Sequence, residues 1–473
     1  MTVLSGAIDM IREMEPREFS GEVTAVRGLR VMVGDLPAPV GTAVRIESKR
    51  SAAERAGADL RGEVVGFSGG EAIVMLLCSS EGVGPGDRVV GEQTGAGVRV
   101  GKSMLGRVVN GLGEAIDGGR ALADLVVRSA AGTPTSAMKR RRILEPMPTG
   151  VAVLDAMVTL GKGQRIGIFS GPGVGKSTLT ASIARNTAAD VNVIALIGER
   201  GREVKDFLEG ALGVEGLKRS VVVVSTGDES ALMRVRAATT ATVIAEYFRE
   251  EGADVMLIMD SVTRLAHAQR QIGLTAGETV ATKGYTPSVF SLLPALMERA
   301  GAIEGGGSIT GIYTVLVEGD DLTEPVSDAA RGILDGHIAL SRKLASRGHF
   351  PAVDLLESIS RVANDVCDAN HIAARRTLLK VVAAYAEAEE LINIGAYARG
   401  SNPACDTAIA MKSAIDTFLQ QDARTKRPYP ETCKGLIELG LKAQQEIAQR
   451  VKAQQAVVSG PGGHAPANAR KGA

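Results

Sequence analysis

The clearest chemical signal in the sequence is the segment RIGIFSGPGVGKST, which occupies residues 165–178. Its first half contains a short apolar run, which predicts a buried strand, and the residues that follow it, LTASIARNTAA, predict a helix. Between them lies a glycine-rich turn that can point its backbone N–H groups at phosphate oxygens. The positive end of the helix dipole acts at the same point. This order of strand, loop and helix predicts a site for the phosphates of a nucleotide.

The side chains at the end of this loop suit ATP and a magnesium ion. Lys176 can reach the β- and γ-phosphates, and the Ser177 hydroxyl can ligate Mg²⁺. The strict phosphate-loop pattern has a glycine five residues before Gly175, where this chain has Ser170. An ordinary glycine-rich turn is the alternative interpretation. The predicted nucleotide-binding residues of the loop are Gly171, Pro172, Gly173, Val174, Gly175, Lys176, Ser177 and Thr178.

A second apolar run, ADVMLIMDS at residues 253–261, ends in a carboxylate at Asp260. Parallel α/β sheets place their ligands at the carboxyl ends of the strands. In a protein that also has a phosphate loop, a carboxylate at such a position can hold Mg²⁺, directly or through water. Asp260 is therefore a predicted magnesium ligand, together with Ser177.

Two further motifs could supply the remaining groups of a site that hydrolyses ATP. The segment IGERGREV places Glu199 at the end of another predicted strand, where a carboxylate could orient and deprotonate the attacking water. A surface acidic residue paired with Arg200 or Arg202 is an equally good interpretation. In SISRVAND, Arg361 could stabilise the charge that develops on the γ-phosphate, although spacing alone favours a structural arginine.

These residues require a framework of alternating strands and helices, and the central part of the chain has that pattern. Strands are predicted at residues 165–170, 191–197, 220–226, 254–260, 308–318 and 337–341. Helical patterns lie between several of them, at residues 230–251 and 288–299. Continuous apolar strands that alternate with helices predict a mostly parallel sheet with helices on both faces.

Different patterns flank this central α/β region and make the predicted fold multidomain. Short Val/Ile-rich runs between glycines and prolines predict a small N-terminal β-barrel. Helical patterns at residues 362–392, 406–422 and 431–457 predict a C-terminal helical bundle. The predicted parts are an amphipathic helix at residues 1–18, the barrel at 19–95, a phosphate-loop domain at 96–378, a helical domain at 379–457 and a disordered tail at 458–473.

Composition narrows the kinds of function. Of 473 residues, 45% are hydrophobic and 23% are charged, which is typical of globular proteins. A net charge of zero, 3% aromatic residues and no Trp argue against a nucleic-acid partner. Four well-separated cysteines predict reduced thiols rather than a zinc site or disulfides. Without a secretion signal or an apolar run of ~20 residues, a cytoplasmic location is expected.

Together these elements resemble the rotary-type hexameric ATPases, and within them the flagellar protein export ATPases and their type III secretion relatives. The resemblance covers most of residues 165–403, in the strings GIFSGPGVGKST, IGERGREVKDFLE, MDSVTRLAHAQRQIGL, ATKGYTPSVFSLLPALMERAG, YTVLVEGDDLTEPVSDAARGILDGHIALSR, RGHFPAVD and INIGAYARGSNP. It implies a three-domain layout with a RecA-like central domain. The family tolerates small residues at the position of Ser170.

The resemblance also implies roles that spacing left open. Glu199 matches the catalytic glutamate of the family, and Arg200 matches the arginine that follows it. Arg361 matches an arginine finger that acts on the nucleotide of a neighbouring subunit. Phe350, in RGHFPAVD, matches an aromatic residue that packs on adenine in related catalytic subunits. Because one chain carries both Glu199 and Arg361, the resemblance implies a homohexamer that hydrolyses ATP with Mg²⁺.

The implied function is ATP-driven protein export through a flagellar or type III secretion apparatus. The implied partners are further copies in a ring, regulator and stalk proteins, export cargo, chaperones and an export gate at the cytoplasmic face of the inner membrane, with no nucleic acid. The alternatives are the catalytic subunit of a proton-translocating ATP synthase, a hexameric RNA translocase and a purely structural ring subunit. The acidic DELSEED-type motif of the first alternative is absent from the C-terminal sequence.

Overall fold

The computed structural model describes residues 19–47, 60–92, 97–132, 135–317 and 323–458. The chain divides into two compact units, each assembled from several segments. Unit 1 comprises Met1–Ile143, Lys162–Pro172 and Ala189–Asp335, and unit 2 comprises Leu144–Gly161, Gly173–Ala188 and Gly336–Ala473. The chain therefore passes from unit 1 to unit 2 within the phosphate loop.

Unit 1 begins with a closed six-stranded barrel. Its strands are β1 (Phe19–Arg27), β2 (Arg30–Gly34), β3 (Ala43–Glu47), β4 (Arg61–Ser68), β5 (Glu71–Leu76) and β6 (Arg88–Gly91). Buried and more exposed residues alternate along β2 and β3, so one face of each strand packs into the barrel core, where Val31, Val33 and Val44 are fully buried. The strand order around the barrel is β1–β2–β5–β4–β3–β6, and β6 pairs with β1.

A parallel sheet forms the centre of unit 1. The remaining strands of the unit are β7 (Gly97–Val100), β8 (Val108–Val109), β9 (Val126–Ser129), β10 (Arg165–Ser170), β11 (Val191–Glu199), β12 (Ser220–Thr226), β13 (Asp254–Asp260), β14 (Gly301–Ala302) and β15 (Ser308–Leu316). The parallel strands lie in the order β10–β15–β13–β11–β12–β8. β14 pairs antiparallel with β15, and β7 pairs antiparallel with β9.

The helices of both units follow in chain order. They are α1 (Ala152–Met157), α2 (Lys176–Asn186), α3 (Gly201–Lys205), α4 (Gly213–Lys218), α5 (Ala231–Glu250), α6 (Val262–Ala276), α7 (Pro287–Met297), α8 (Pro325–Ile333), α9 (Arg342–Ser346), α10 (Ala363–Val366), α11 (Ala369–Asn393), α12 (Pro403–Leu419) and α13 (Tyr429–Val458). A π-helical stretch, Asp206–Leu212, joins α3 to α4, and 3₁₀ turns lie at Lys102–Met104, Ala137–Lys139 and Thr282–Gly284. In unit 1, α5 and α6 pack on β11 and α8 packs on β10, which buries the apolar strands of the sheet.

Unit 2 combines a strand pair with a bundle of helices. Its strands are β16 (Gly336–Leu340) and β17 (Val353–Ser360), and they pair antiparallel. The long helices α11, α12 and α13 pack on one another and bury Leu378, Met411 and Leu436 between them. α1 packs on α12 and α13, which joins the segment before the phosphate loop to the C-terminal helices.

The fold class predicted from the sequence is confirmed: a β-barrel, a mostly parallel sheet with helices, and C-terminal helices. The single helical run expected at residues 362–392 is instead two helices. Asp368 separates them because its carboxylate accepts a hydrogen bond from His371 N at 2.9 Å and caps α11. The domain boundaries stay predictions. The expected N-terminal helix at residues 1–18 and residues 459–473 of the expected tail lie outside the described residues.

Candidate active site

The phosphate loop connects β10, which ends at Ser170, to α2, which begins at Lys176. Gly173 and Gly175 have φ angles of 77° and 93°, a region in which other residues are strained, so the turn depends on both glycines. Ser170 is still part of the extended strand, and its side chain is buried. A serine therefore fits the position where the strict pattern has glycine.

The first turn of α2 offers groups that suit an anion and a cation. Backbone N–H groups in a first helical turn have no partner within the helix, and they lie at the positive end of the dipole. Lys176 is half-buried there, and the hydroxyl-bearing side chains of Ser177 and Thr178 are exposed. An ammonium group and N–H donors suit phosphate oxygens, and a hydroxyl oxygen suits Mg²⁺.

Three parallel strands of unit 1 end at one edge of the sheet with residues that the sequence singled out. β11 and β13 are neighbours, and Leu196 pairs with Asp260. β10 lies on the other side of β13, with β15 between them. Since these strands are parallel, Ser170, Glu199 and Asp260 share the carboxyl edge. The structure thus brings Glu199 and Asp260 to the edge at which the phosphate loop begins.

Asp260 is held in place by the neighbouring strand. Its side chain is buried, and Thr314 on β15 donates a hydrogen bond from Oγ1 to Asp260 Oδ1 at 2.7 Å. The next residue, Ser261, caps α6 by accepting a hydrogen bond from Arg264 N. The hydrogen bond from Thr314 therefore orients the carboxylate, and the helix cap holds the backbone that directly follows it.

Glu199 is oriented by a bulge and by an arginine that sequence reasoning missed. The register of β11 against β12 shifts between Ile197 and Glu199, which makes Gly198 the extra residue of a β-bulge. Gly198 has a φ of 71°, and a Cβ on it would lie 2.9 Å from Arg264 Cδ. The bulge therefore favours glycine at position 198, because a Cβ would be strained at this φ and would crowd Arg264.

Arg264, on the first turn of α6, contacts the bulge and the carboxylate that follows it. Its guanidinium donates a hydrogen bond to the Gly198 carbonyl oxygen, and its Nε lies 3.5 Å from Glu199 Oε1. The Glu199 side chain is only 12% exposed. The alternative left open by the sequence was a surface carboxylate paired with Arg200 or Arg202, whereas here the ion-pair partner is Arg264 and the carboxylate is largely buried. The signal in the sequence was an arginine four residues after Asp260, in VTRLAHAQ.

Arg200, the residue after Glu199, is exposed to solvent, unlike the buried groups at this edge. It is the N-cap residue of α3, its side chain is 72% exposed, and it forms an ion pair with Glu203 at 3.7 Å. Such an exposed pair contributes little to stability. The Arg200 side chain is consequently able to reorient towards a ligand at little cost.

A second carboxylate at this edge was also missed by sequence reasoning. Glu229 follows β12, and its Oε2 accepts a hydrogen bond from Ser225 Oγ at 2.7 Å. Burial raises the pKa of the Glu229 carboxyl. Its neighbour Gly227 donates a backbone hydrogen bond to the Glu199 carbonyl oxygen at 3.0 Å. The loop after β12 thus supports the end of β11.

Unit 2 contains a cavity beside the phosphate loop, with a volume of about 340 Å³. The volume lies in the range of small-molecule pockets, roughly 300–1,000 Å³. The lining is mostly apolar and includes Val174, Leu179, Leu340 and Phe350. Phe350 is 45% exposed, and a Cβ placed on Gly175 would lie 3.6 Å from its ring. The aromatic residue identified from the sequence therefore stands next to the loop.

Arg361 immediately follows β17 and is exposed. Its position directly after a strand fixes the backbone, whereas its side chain extends into solvent. An exposed guanidinium of this kind can reach a group on another molecule.

The oxygen donors that the sequence assigned to magnesium fit that ion chemically. Mg²⁺ prefers oxygen ligands and keeps several waters, so one hydroxyl and one carboxylate are a sufficient protein contribution. Ser177 and Asp260 provide these two donor types. Within the part of the chain that the structure describes, no group of three or more His, Cys, Asp and Glu side chains could hold a metal. The described helices also include none that is long and apolar enough to cross a membrane.

Comparison with known proteins identifies the family to which the site belongs. The ATP synthase alpha/beta family, nucleotide-binding domain, matches residues 150–360, and the T3SS EscN ATPase C-terminal domain matches residues 367–438. The flagellum-specific ATP synthase of Treponema pallidum (strain Nichols) is 52% identical over 429 residues, which cover 90% of this chain and 94% of the relative. The chain belongs to the flagellum-specific and type 3 secretion ATPase family.

Other members of the family are similar over almost the whole chain. The type 3 secretion system ATPase of Xanthomonas euvesicatoria is 46% identical and covers 87% of this ATPase and 92% of its own length. The structure of the assembled ATPase EscN from enteropathogenic E. coli has a TM-score of 0.83 and 40% identity, covering 89% of this chain and all of that one. The protein is accordingly an ATP-hydrolysing enzyme of this family.

Proposed function

We propose that this ATPase hydrolyses ATP at the phosphate loop with a magnesium ion. The loop residues 171–178 bind the phosphates through backbone N–H groups, and Lys176 binds the β- and γ-phosphate oxygens. The adenine occupies the cavity lined by Phe350, Val174 and Leu179. The observation that carries the proposal is the shared carboxyl edge at which Glu199 and Asp260 lie and the loop begins.

In the proposed reaction, water attacks the γ-phosphorus and Glu199 accepts its proton. The new bond joins the water oxygen to the γ-phosphorus, and the bond to the β,γ-bridging oxygen breaks, which releases ADP. Arg264 supports this step by holding the Glu199 carboxylate at 3.5 Å from its Nε. The exposed Arg200, next to Glu199, adds positive charge where the γ-phosphate charge develops.

The proposed magnesium ligands are Ser177 and Asp260, directly or through water. Bound there, Mg²⁺ supplies charge neutralisation at the β- and γ-phosphate oxygens. The hydrogen bond from Thr314 fixes the orientation of the Asp260 carboxylate, which would hold the ion together with Ser177.

Arg361 is proposed to act on the nucleotide of a neighbouring copy. An inserted guanidinium stabilises the charge that develops on the transferred phosphoryl group. The exposed position of Arg361 after β17 supports a role outside its own subunit. Because each copy carries a phosphate loop, Glu199 and Arg361, a ring of identical chains is sufficient. We propose a homohexamer, and the similarity to EscN, whose structure is that of an assembled ATPase, supports an oligomer.

The cellular role we propose is protein export through a flagellar or type III secretion apparatus. The names of the relatives support it, and a second matched structure, with a TM-score of 0.80 and 39% identity, contains EscN in complex with its central stalk EscO. A stalk protein, a regulator, export cargo and chaperones are therefore the proposed partners. The proposed location is the cytoplasm, at the cytoplasmic face of the inner membrane.

The direct test of the hydrolytic proposal is Glu199→Gln. The substitution keeps size and removes the proton acceptor, so kcat should fall by at least about 100-fold while the Kd for ATP stays within about twofold. Glu215→Gln is the matched control, because Glu215 is an exposed glutamate paired with Lys218. Near-normal turnover in Glu199→Gln would contradict the assignment, and equal loss in the control would show a non-specific effect.

A further inference from the structure

One wall of the nucleotide cavity is formed by an irregular segment between α12 and α13. Gln421, Asp422 and Ala423 of this segment line the cavity. The segment lies in unit 2, as do all the residues that line the cavity. Because the segment is neither helix nor strand, its position depends on hydrogen bonds to the elements around it.

The Gln421 side chain holds this wall against the residues that precede the phosphate loop. Its Oε1 accepts a hydrogen bond from Ala152 N at 2.8 Å, at the first residue of α1. Its Nε2 donates to the carbonyl oxygens of Gly150, at 2.8 Å, and Thr425, at 2.6 Å. Both amide hydrogens of Gln421 are thus used by backbone carbonyls.

The far end of the phosphate-loop helix holds the same wall. α2 begins at Lys176, and near its end Arg185 donates a hydrogen bond to the Ala423 carbonyl oxygen. Asn186 donates from Nδ2 to the Thr425 carbonyl oxygen at 3.3 Å. One helix therefore carries phosphate-binding residues at its start and anchors the cavity wall at its end.

We propose that Gln421 is a positioning residue for the nucleotide base, which it serves by fixing the cavity wall before ATP binds. The inference rests on the proposed function, in which this cavity takes adenine. When the wall is already ordered, no conformational entropy is lost from it as the base enters. If the wall is disordered, ATP must order it on binding, so ATP binds more weakly. The side-chain hydrogen bonds of Gln421 do not involve Glu199, Asp260 or Lys176, so the chemical step keeps its rate.

Two ligands separate this role from a general structural one. ATP carries the base and the triphosphate, whereas inorganic tripolyphosphate carries only the groups that the phosphate loop binds. In Gln421→Ala, we expect the KM and Kd for ATP to rise about tenfold with kcat unchanged. The Kd for tripolyphosphate should stay at the wild-type value.

The chain provides a matched control next to the residue itself. Gln420 is exposed, does not line the cavity, and contacts His349 Nδ1 at 3.3 Å. Gln420→Ala should therefore bind both ligands like the wild type. Gln421→Glu is the second variant: it keeps an acceptor for Ala152 N but sets an oxygen against two carbonyl oxygens. Gln421→Glu should weaken ATP binding without weakening tripolyphosphate binding. It provides the test independently if Gln421→Ala does not fold.

The outcomes distinguish the inference from the proposed function. Selective weakening of ATP binding in both Gln421 variants, with an unchanged Gln420→Ala, supports the inference. Wild-type ATP affinity in the Gln421 variants, or equal weakening of ATP and tripolyphosphate, overturns it. In Phe350→Ala, loss of ATP affinity alone would confirm that the cavity takes the base. If that variant discriminates the two ligands like the wild type, the assignment of the cavity fails and the inference fails with it.

Discussion

The carboxyl edge of the sheet in unit 1 and the cavity in unit 2 are built in different ways. At the edge, ionisable side chains are oriented by polar side chains on neighbouring elements: Glu199 by Arg264, and Asp260 by Thr314. In the cavity, the lining is apolar side chains and a backbone wall, held from behind by Gln421 and its neighbours. The carboxyl edge thus positions ionisable groups, whereas the cavity provides a mostly apolar space with a fixed wall.

This difference predicts how each region responds to substitution. Removing a partner at the edge disturbs a group that we propose acts in the transition state, so kcat should fall. Removing a contact in the cavity affects ATP in the ground state and the transition state alike, so KM should rise and kcat should persist. An edge variant that raises KM at constant kcat, or a cavity variant that lowers kcat at constant KM, would contradict this distinction.

The largest of these effects is expected for Arg264→Gln. The Glu199 carboxylate loses its ionic partner and its defined orientation, so kcat should fall about 100-fold with little change in KM. Steady-state ATPase assays measure both. Arg270→Gln is the matched control on the same helix, since Arg270 lies over the Tyr285 ring instead. An unchanged kcat in Arg264→Gln would show that Glu199 needs no such support.

A smaller effect, on KM, is expected for Phe350→Ala. Loss of an aromatic surface for the base should raise the KM for ATP about tenfold, in line with stacking energies of about 1–3 kcal/mol. The kcat value should stay within about twofold of the wild type. Phe350→Tyr keeps a ring and should retain the wild-type KM. A fall in kcat without a change in KM would place Phe350 with the catalytic edge instead.

The smallest effect on catalysis is expected for Asp155→Asn, because Asp155 does not line the cavity. Asp155 accepts hydrogen bonds from Thr149 N and Gly150 N, and burial raises the pKa of its carboxyl to about 6. Because the folded state holds this proton more tightly than the unfolded chain, stability falls as pH rises from about 4 to 6 and then levels off.

Urea unfolding between pH 5 and pH 7 measures this contribution. The free energy of unfolding of the wild type should decrease over that interval relative to Asp155→Asn, which has no proton to lose. Parallel curves for the two proteins would show that Asp155 has an ordinary pKa in the folded state. Turnover at pH 7.5 should be similar in both.

Local sequence patterns point to the charged groups but not to the shape around them. Glu199 and Asp260 are the last residues of apolar strands, and Lys176 directly follows the glycine-rich turn, so short-range pattern and chemistry coincide at all three. Two of the three side-chain hydrogen bonds of Gln421 join residues 269 and 271 positions apart, and nothing in its local sequence marks it. Arg264 lies in a helical pattern that equally describes a solvated face.

The fold shows the same division between local and long-range information. Strand and helix patterns predicted the barrel, the parallel sheet and the C-terminal helices. The break between α10 and α11 depends on a capping hydrogen bond to Asp368, which competes locally with a continuous helix. The division of the chain within the phosphate loop groups segments that are far apart in sequence, and no local pattern marks it.

In the proposed ring, one kind of chain supplies both halves of the catalytic site, and this arrangement can be tested by mixing two inactive variants. Arg361→Ala retains the phosphate loop, and Lys176→Ala retains the arginine; each alone should lose most ATPase activity. When the two are assembled together, some sites combine the intact loop of one copy with the intact arginine of the next. We predict that the mixture hydrolyses ATP faster than either variant alone at equal total concentration. Mixed oligomers that form but show no gain in activity would contradict the shared site.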